Sequence, residues 1–248
     1  MTATDQAATE AAQSTAEAVS HLTAGFMLDV DTYIGAAGAG YEGIAFYFGG
    51  RAGVLGDATT EEVTDSLAFF PTSTVAAGWE QAGTVESRAA AAERFAQVGA
   101  KWAEAHLPED GPDYGRLAEL AGKVIAAADA GGAPIFAGWR DLPEPAGARQ
   151  LAHHRLNALR ELRFSRHVAA LREAGIDPAI AFMVRTPMTA DIFGVPEPRP
   201  TPDDDDKAAW EAAEADTDNR FARDLSVLDA GELAEFVELA NAAHAAVI

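Results

Sequence analysis

RQLAHHRLNALRELRFSRHVAALREAG, Arg149 to Gly175, decides how this 248-residue chain is read. The stretch has no proline and no glycine before its last residue, and Leu151, Leu159, Leu162, Val168, Ala169 and Leu171 recur at helical spacing. Gly175 is the residue type that ends a helix in a left-handed conformation. The same stretch carries three of the six histidines and six arginines, a density of titratable groups found nowhere else in the chain. It predicts a long helix that forms one wall of any site.

Helical spacing continues on both sides. Upstream, Val19, Leu22 and Phe26 share one face, and Ile44 to Phe48 predicts a short helix. Thr59-Thr60-Glu61-Glu62 places a capping hydroxyl and first-turn acids ahead of Val63 to Phe70. Pro71 opens a helix through Trp79, and Thr84 or Ser87 starts a longer one carrying Phe95, Val98 and Trp102. Glu109-Asp110-Gly111-Pro112 is a strong turn. Tyr114 to Ala130 is helical again, and PIFAGWRDLPEP, Pro134 to Pro145, is a structured connection. Downstream, Asp177-Pro178 opens a helix to Val184, and Thr186 to Pro202 holds five prolines and predicts a loop or linker. Asp203 to Asp206 caps a helix through Trp210, and Asp229 to Val247 places Leu233, Phe236, Val237 and Ala240 at helical spacing. No hairpin or alternating strand run occurs. The fold class is all-α, a multi-helix bundle of about ten helices with no substantial sheet. The expected organisation is a flexible segment over 1–17, an N-terminal helical half over 18–108 and a C-terminal helical half over 112–248, packed together, with a Pro-rich loop at 186–202.

Charge narrows the function classes. Eighteen basic residues against 39 acidic ones leave a formal net charge of -21. Such a surface repels phosphate backbones and anionic membranes unless its bases form one patch, so no nucleic acid is expected as a partner. No stretch approaches the roughly 20 apolar residues that span a bilayer, so no membrane is expected either. No basic region precedes an apolar run at the N-terminus, which makes cytoplasmic the default location. The absence of cysteine removes disulfides, thiolate zinc sites and cysteine nucleophiles.

GIAFYFGGRAGVLGD, Gly43 to Asp57, admits two readings of its glycines. A phosphate-cradling loop requires G-x-x-x-x-G-K-[ST] or G-x-G-x-x-G between a strand and a helix, and neither spacing is present. The other reading is a helix whose small residues Gly49, Gly50 and Ala52 permit close packing. Arg51, set among apolar residues, requires a carboxylate partner or an anionic ligand.

HLTAGFMLD (His21–Asp29), FYFGGRAGVLG (Phe46–Gly56) and ALRELRFSRHVAAL (Ala158–Leu171), in that order, resemble an actinobacterial all-helical family labelled helix-turn-helix-like. Its members carry a histidine followed by an aromatic pair and an acid, then a segment like YFAGRAAPLG, then one like LREHRGDGHVAAL. PIFAGWRDLP and EADTDNRFARDLSVLDAGEL resemble family segments as well. Leu162 stands where the family motif has its first histidine, and Phe164-Ser165-Arg166 replaces Gly-Asp-Gly. Residues 186–207 are short and proline-rich where members have a winged segment. The resemblance implies an all-helical fold; since some members occur among antibiotic-biosynthesis proteins, it also implies specialised metabolism.

Among candidate chemistries, a metal site built on His21, Asp29, Glu161 and His167 is disfavoured by helix geometry. Glu161 and His167 project about 120° apart on a straight helix, and His153 and His167 lie about 21 Å apart along it. No metal ligands and no cofactor are assigned. Neighbouring His153 and His154 point about 100° apart, so at least one is expected at the surface. An acid-binding pocket uses Arg51, Arg160, Arg163, Tyr47 and His21 for substrate, with His167 as acid/base and Glu161 as its titratable partner. A buried network in which Arg51 meets Glu161 accounts for the same residues, and Phe46, Tyr47 and Phe48 fit a core as well as a cradle. The function expected is a helical protein with a small-molecule ligand, bound between Phe46–Gly56 and the long helix. Catalysis on an acidic or polar substrate and association as a homodimer are part of that reading. The alternative is a non-catalytic regulator or partner-binding module derived from a helix-turn-helix-like family.

Overall fold

The computed structural model describes residues 3–247. Twelve α-helices follow in order: α1 (Ala3–Leu28), α2 (Val30–Gly38), α3 (Ala45–Ala52), α4 (Thr60–Ser66), α5 (Thr72–Val85), α6 (Arg88–His106), α7 (Tyr114–Ala127), α8 (Pro134–Arg140), α9 (Ala148–Glu173), α10 (Pro178–Arg185), α11 (Asp204–Leu225) and α12 (Ala230–Ala245). Two short 3-10 turns, Gly53–Leu55 and Pro187–Thr189, complete the regular structure, and no strand occurs among the described residues. The all-α expectation holds.

The chain divides into two compact units. Unit one comprises Met1–Thr32, Ala96–Phe164 and Asp218–Ile248; unit two comprises Tyr33–Phe95 and Ser165–Thr217. This division does not follow the turn at 109–112. Its boundaries fall inside α2, α6, α9 and α11, because helices such as the 26-residue α9 contribute to both units.

In unit one, α12 packs against α1 and α7. Val19, Leu22 and Phe26 of α1 are buried, as are Leu233, Phe236, Ala240 and Ala243 of α12. Over the segment expected to be flexible, α1 begins at Ala3 and buries Ala8, Ala11, Ala12 and Thr15. Alanine has the highest helix propensity, and at this spacing its small side chain brings the backbone close to its neighbours. The buried hydroxyls of Thr15 and Thr23 donate to the carbonyls of Ala11 (2.8 Å) and Val19 (2.7 Å), so neither is orphaned. At the surface, Arg116 and Lys123 of α7 reach Glu235 (2.9 Å) and Glu232 (2.5 Å) of α12.

Between Ala152 and Leu162, α9 buries residues on every face, and both His153 and His154 are buried. The expectation that one of the pair lies at the surface is therefore corrected. Neighbours do point about 100° apart, but a helix covered all round leaves neither direction to solvent.

In unit two, α5 packs against α3 and α4. A Cβ on Gly49 would stand 2.2 Å from Ala82 Cβ, and one on Gly50 would stand 2.4 Å from the Phe95 ring. These glycines therefore permit close packing. Thr59 and Glu62 cap α4 reciprocally, as its first turn predicts. The Pro-rich segment is not a free linker: Ala190, Phe193 and Val195 are buried, and Phe193 joins a cluster of Tyr47, Phe48, Phe70 and Phe182. No helix is long and apolar enough to cross a membrane among the described residues.

Candidate functional site

In unit two, a polar arrangement surrounds His167, on the C-terminal part of α9. Opposite it, α11 presents Trp210, Ala213, Glu214 and Thr217 at helical spacing. His167 Nδ1 lies 3.0 Å from Thr217 Oγ1 and 3.1 Å from Glu214 Oε1. The Thr217 hydroxyl donates to the Ala213 carbonyl at 2.7 Å, so toward His167 it can only accept. An ionised carboxylate also only accepts. With acceptors on that side, Nδ1 carries a proton.

Apolar groups hold the imidazole. Phe69 and Trp210 meet it edge-on, at centroid distances of 5.5 and 6.0 Å. Phe69 and Trp210 pack in turn on a core of Ala170, Leu171, Ala181 and Ala213. The Trp210 indole nitrogen is buried and has no hydrogen-bond partner. A buried donor left in that state costs about 1–3 kcal/mol and calls for an explanation.

Phe69 and Phe70 carry the arrangement to Arg51. Phe70 lies 5.6 Å from the Tyr47 ring and within 6.0 Å of the Arg51 guanidinium. Arg51 is buried and donates to the Tyr47 hydroxyl at 2.9 Å, with its guanidinium 5.6 Å from that ring. The phenylalanine pair follows Ala68, whose φ of 29° lies in a region that L side chains rarely adopt. Strain of this kind persists where the surroundings over-determine it.

The helix-turn-helix family model matches residues 9–202. The chain belongs to the helix-turn-helix family. No curated protein and no solved structure matches it. The family match covers His167, Arg51, Tyr47, Phe69 and Phe70 but ends before α11. Trp210, Glu214 and Thr217, which surround and orient His167, thus lie beyond the span shared with the family.

The residues singled out from the sequence divide between the units: His167, Arg51 and Tyr47 belong to unit two, and His21, Glu161, Arg160 and Arg163 to unit one. Arg160 donates to the fully buried Glu161 at 2.7 Å, and Arg163 donates to Asp218 at 2.8 Å. His21 is half exposed, 3.5 Å from Glu17, with its ring 5.7 Å from that of His244. Sequence reasoning missed Glu214, Thr217 and Trp210. Their signal was the shared face of α11, legible as a face but not assignable to a partner. Among the described residues, no group of three or more histidine, aspartate or glutamate side chains could hold a metal ion.

Proposed function

We propose that unit two binds a small acidic or polar organic molecule and acts on it by proton transfer through His167. The observation that carries this reading is the oriented His167 beside the orphaned Trp210 N–H. One is a base with its proton fixed on Nδ1; the other is a buried donor whose partner a ligand oxygen can supply. In the proton-transfer step, Nε2 takes a proton from the substrate while the electron pair stays on the substrate. The new imidazolium is stabilised by the Glu214 carboxylate at Nδ1–H. The Trp210 N–H is the donor this reading assigns to the charge that develops, and Arg51, beside Phe70, is the cation it assigns to a carboxylate or phosphate on the substrate. The family resemblance supports a tailoring role in specialised metabolism.

The test is native mass spectrometry of the protein from its own host, followed by denaturation to release what is bound. A stoichiometric polar compound is expected on the wild type, lost from Trp210→Phe, and retained but unprocessed by His167→Gln. A bare wild-type protein, or equal retention by wild type and Trp210→Phe, refutes the reading.

The family match favours a second reading, a regulator that contacts duplex DNA. Against it, five of the six arginines of α9 face carboxylates: Arg149 with Glu109, Arg155 with Glu144, Arg160 with Glu161, Arg163 with Asp218 and Arg172 with Asp65. Such pairing weakens any basic patch on this helix. A salt-sensitive DNA mobility shift decides for the regulator, and its absence decides against it.

A further inference from the structure

Unit one holds a second unusual polar group, far from the chemistry proposed for His167. His153 and Asn157 stand one turn apart on the same face of α9, and both are fully buried. His153 Nε2, Asn157 Nδ2 and Asn157 Oδ1 all lack a hydrogen-bond partner. Folded interiors satisfy nearly all such atoms, so three within one helical turn are exceptional. Replacing both residues by apolar ones would remove the cost of these orphaned groups.

The protonation pattern defines what these atoms can receive. His153 hydrogen-bonds to the Leu22 backbone, and because Nε2 is the unpartnered nitrogen, that bond belongs to Nδ1–H. Burial, with His154 adding to it, pushes the ring down to about 3, so it is neutral at physiological pH and Nε2 presents a lone pair. Asn157 contributes one acceptor and a two-proton donor, whichever way its amide is turned. The group therefore asks for two donors and at least one acceptor.

The geometry points to a binding site for a primary carboxamide on a planar, uncharged molecule. One N–H and the carbonyl of such a group pair with Asn157 in a cyclic amide–amide arrangement, and the second N–H reaches His153 Nε2. A hydroxyl carries one proton and leaves one acceptor unmet. A carboxylate offers acceptors only and sets its charge against the His153 lone pair and Asn157 Oδ1.

Aromatic rings pack on the group. The rings of Phe26 and Trp102 each lie 5.6 Å from that of His153, and His106 stacks on Trp102 at 4.6 Å. Trp102 is only partly buried and rests in the notch left by Gly25, where a Cβ would stand 2.3 Å from its ring. Of these rings Trp102 is one that solvent partly reaches, and in this inference its rotation out of that notch admits the ligand.

The test uses the full chain with benzamide as the probe and benzoate as its charged isostere. Binding is followed through the His153 Nε2 resonance in long-range proton–nitrogen NMR. Benzamide is expected to shift that resonance saturably, with benzoate at least about 100-fold weaker, because a site built for hydrogen bonds rejects an analogue that leaves them unmade. Asn157→Leu is expected to fold at least as stably as the wild type and to lose benzamide by a comparable factor. The inference is overturned if benzamide leaves the resonance unmoved up to its solubility, if benzoate binds equally well, or if Asn157→Leu retains benzamide affinity. Should the variant not fold, the wild-type comparison of the two probes decides alone. No outcome depends on the His167 site, which belongs to unit two.

Discussion

Acidification should destabilise this protein well above the pH at which carboxylates titrate, and His153 should account for much of the effect. In the folded chain its ring stays neutral down to about pH 3. Unfolded, it titrates near the ordinary value of about 6.5. The unfolded state therefore binds the proton first. The contribution of His153 is fully present above pH 6.5, declines as pH falls through the window from 6.5 to 3, and is gone below it. Each pH unit in that window costs about 1.4 kcal/mol, so a drop to pH 4.5 removes on the order of 3 kcal/mol. That is a large share of the roughly 5–15 kcal/mol typical of a domain. His154, also lowered chiefly by burial, adds to the slope in the same direction. The clean perturbation is His153→Phe, which keeps an aromatic ring between Phe26 and Trp102. Urea unfolding of both proteins at steps from pH 7 to 4.5 should show the wild type losing on the order of 3 kcal/mol more than the variant. Parallel slopes, with a difference under about 0.5 kcal/mol, would refute the assignment of a buried neutral imidazole.

Other outcomes test the packing and the site. Gly53→Ala should cost about 1–3 kcal/mol in thermal unfolding, since the new Cβ would stand 2.4 Å from the Arg88 carbonyl, a backbone atom that cannot swing aside. Asp229→Ala removes the reciprocal cap of α12 and should lower stability by about 1 kcal/mol, read as a reduced urea midpoint at constant slope. Ala68→Gly should raise stability by roughly 0.5–1 kcal/mol by relieving the positive φ ahead of Phe69, and a loss on substitution would contradict that strain. Nitrogen-15 NMR should find neutral His167 protonated on Nδ1; a dominant Nε2–H form would remove the proposed base.

What the sequence determined by itself is the helical content and most of the helix ends. That information is local: Thr59 with Glu62, Asp229 with Glu232, and Gly175 at φ 68° beyond α9 all act within a few residues. The same locality made Gly49 and Gly50 readable as close-packing residues, because a glycine pair within a helical run has few other uses. Which faces meet was a matter for the tertiary structure. Thr217 finds His167 across 50 positions, Phe193 enters an aromatic core from a proline-rich segment, and His153 and His154 are both buried although they point in different directions. The physical reason lies in α9 itself. Between Ala152 and Leu162 it is buried on all sides, so it carries no single apolar stripe to announce its orientation, and its polar residues acquire their roles only from what the other helices place beside them.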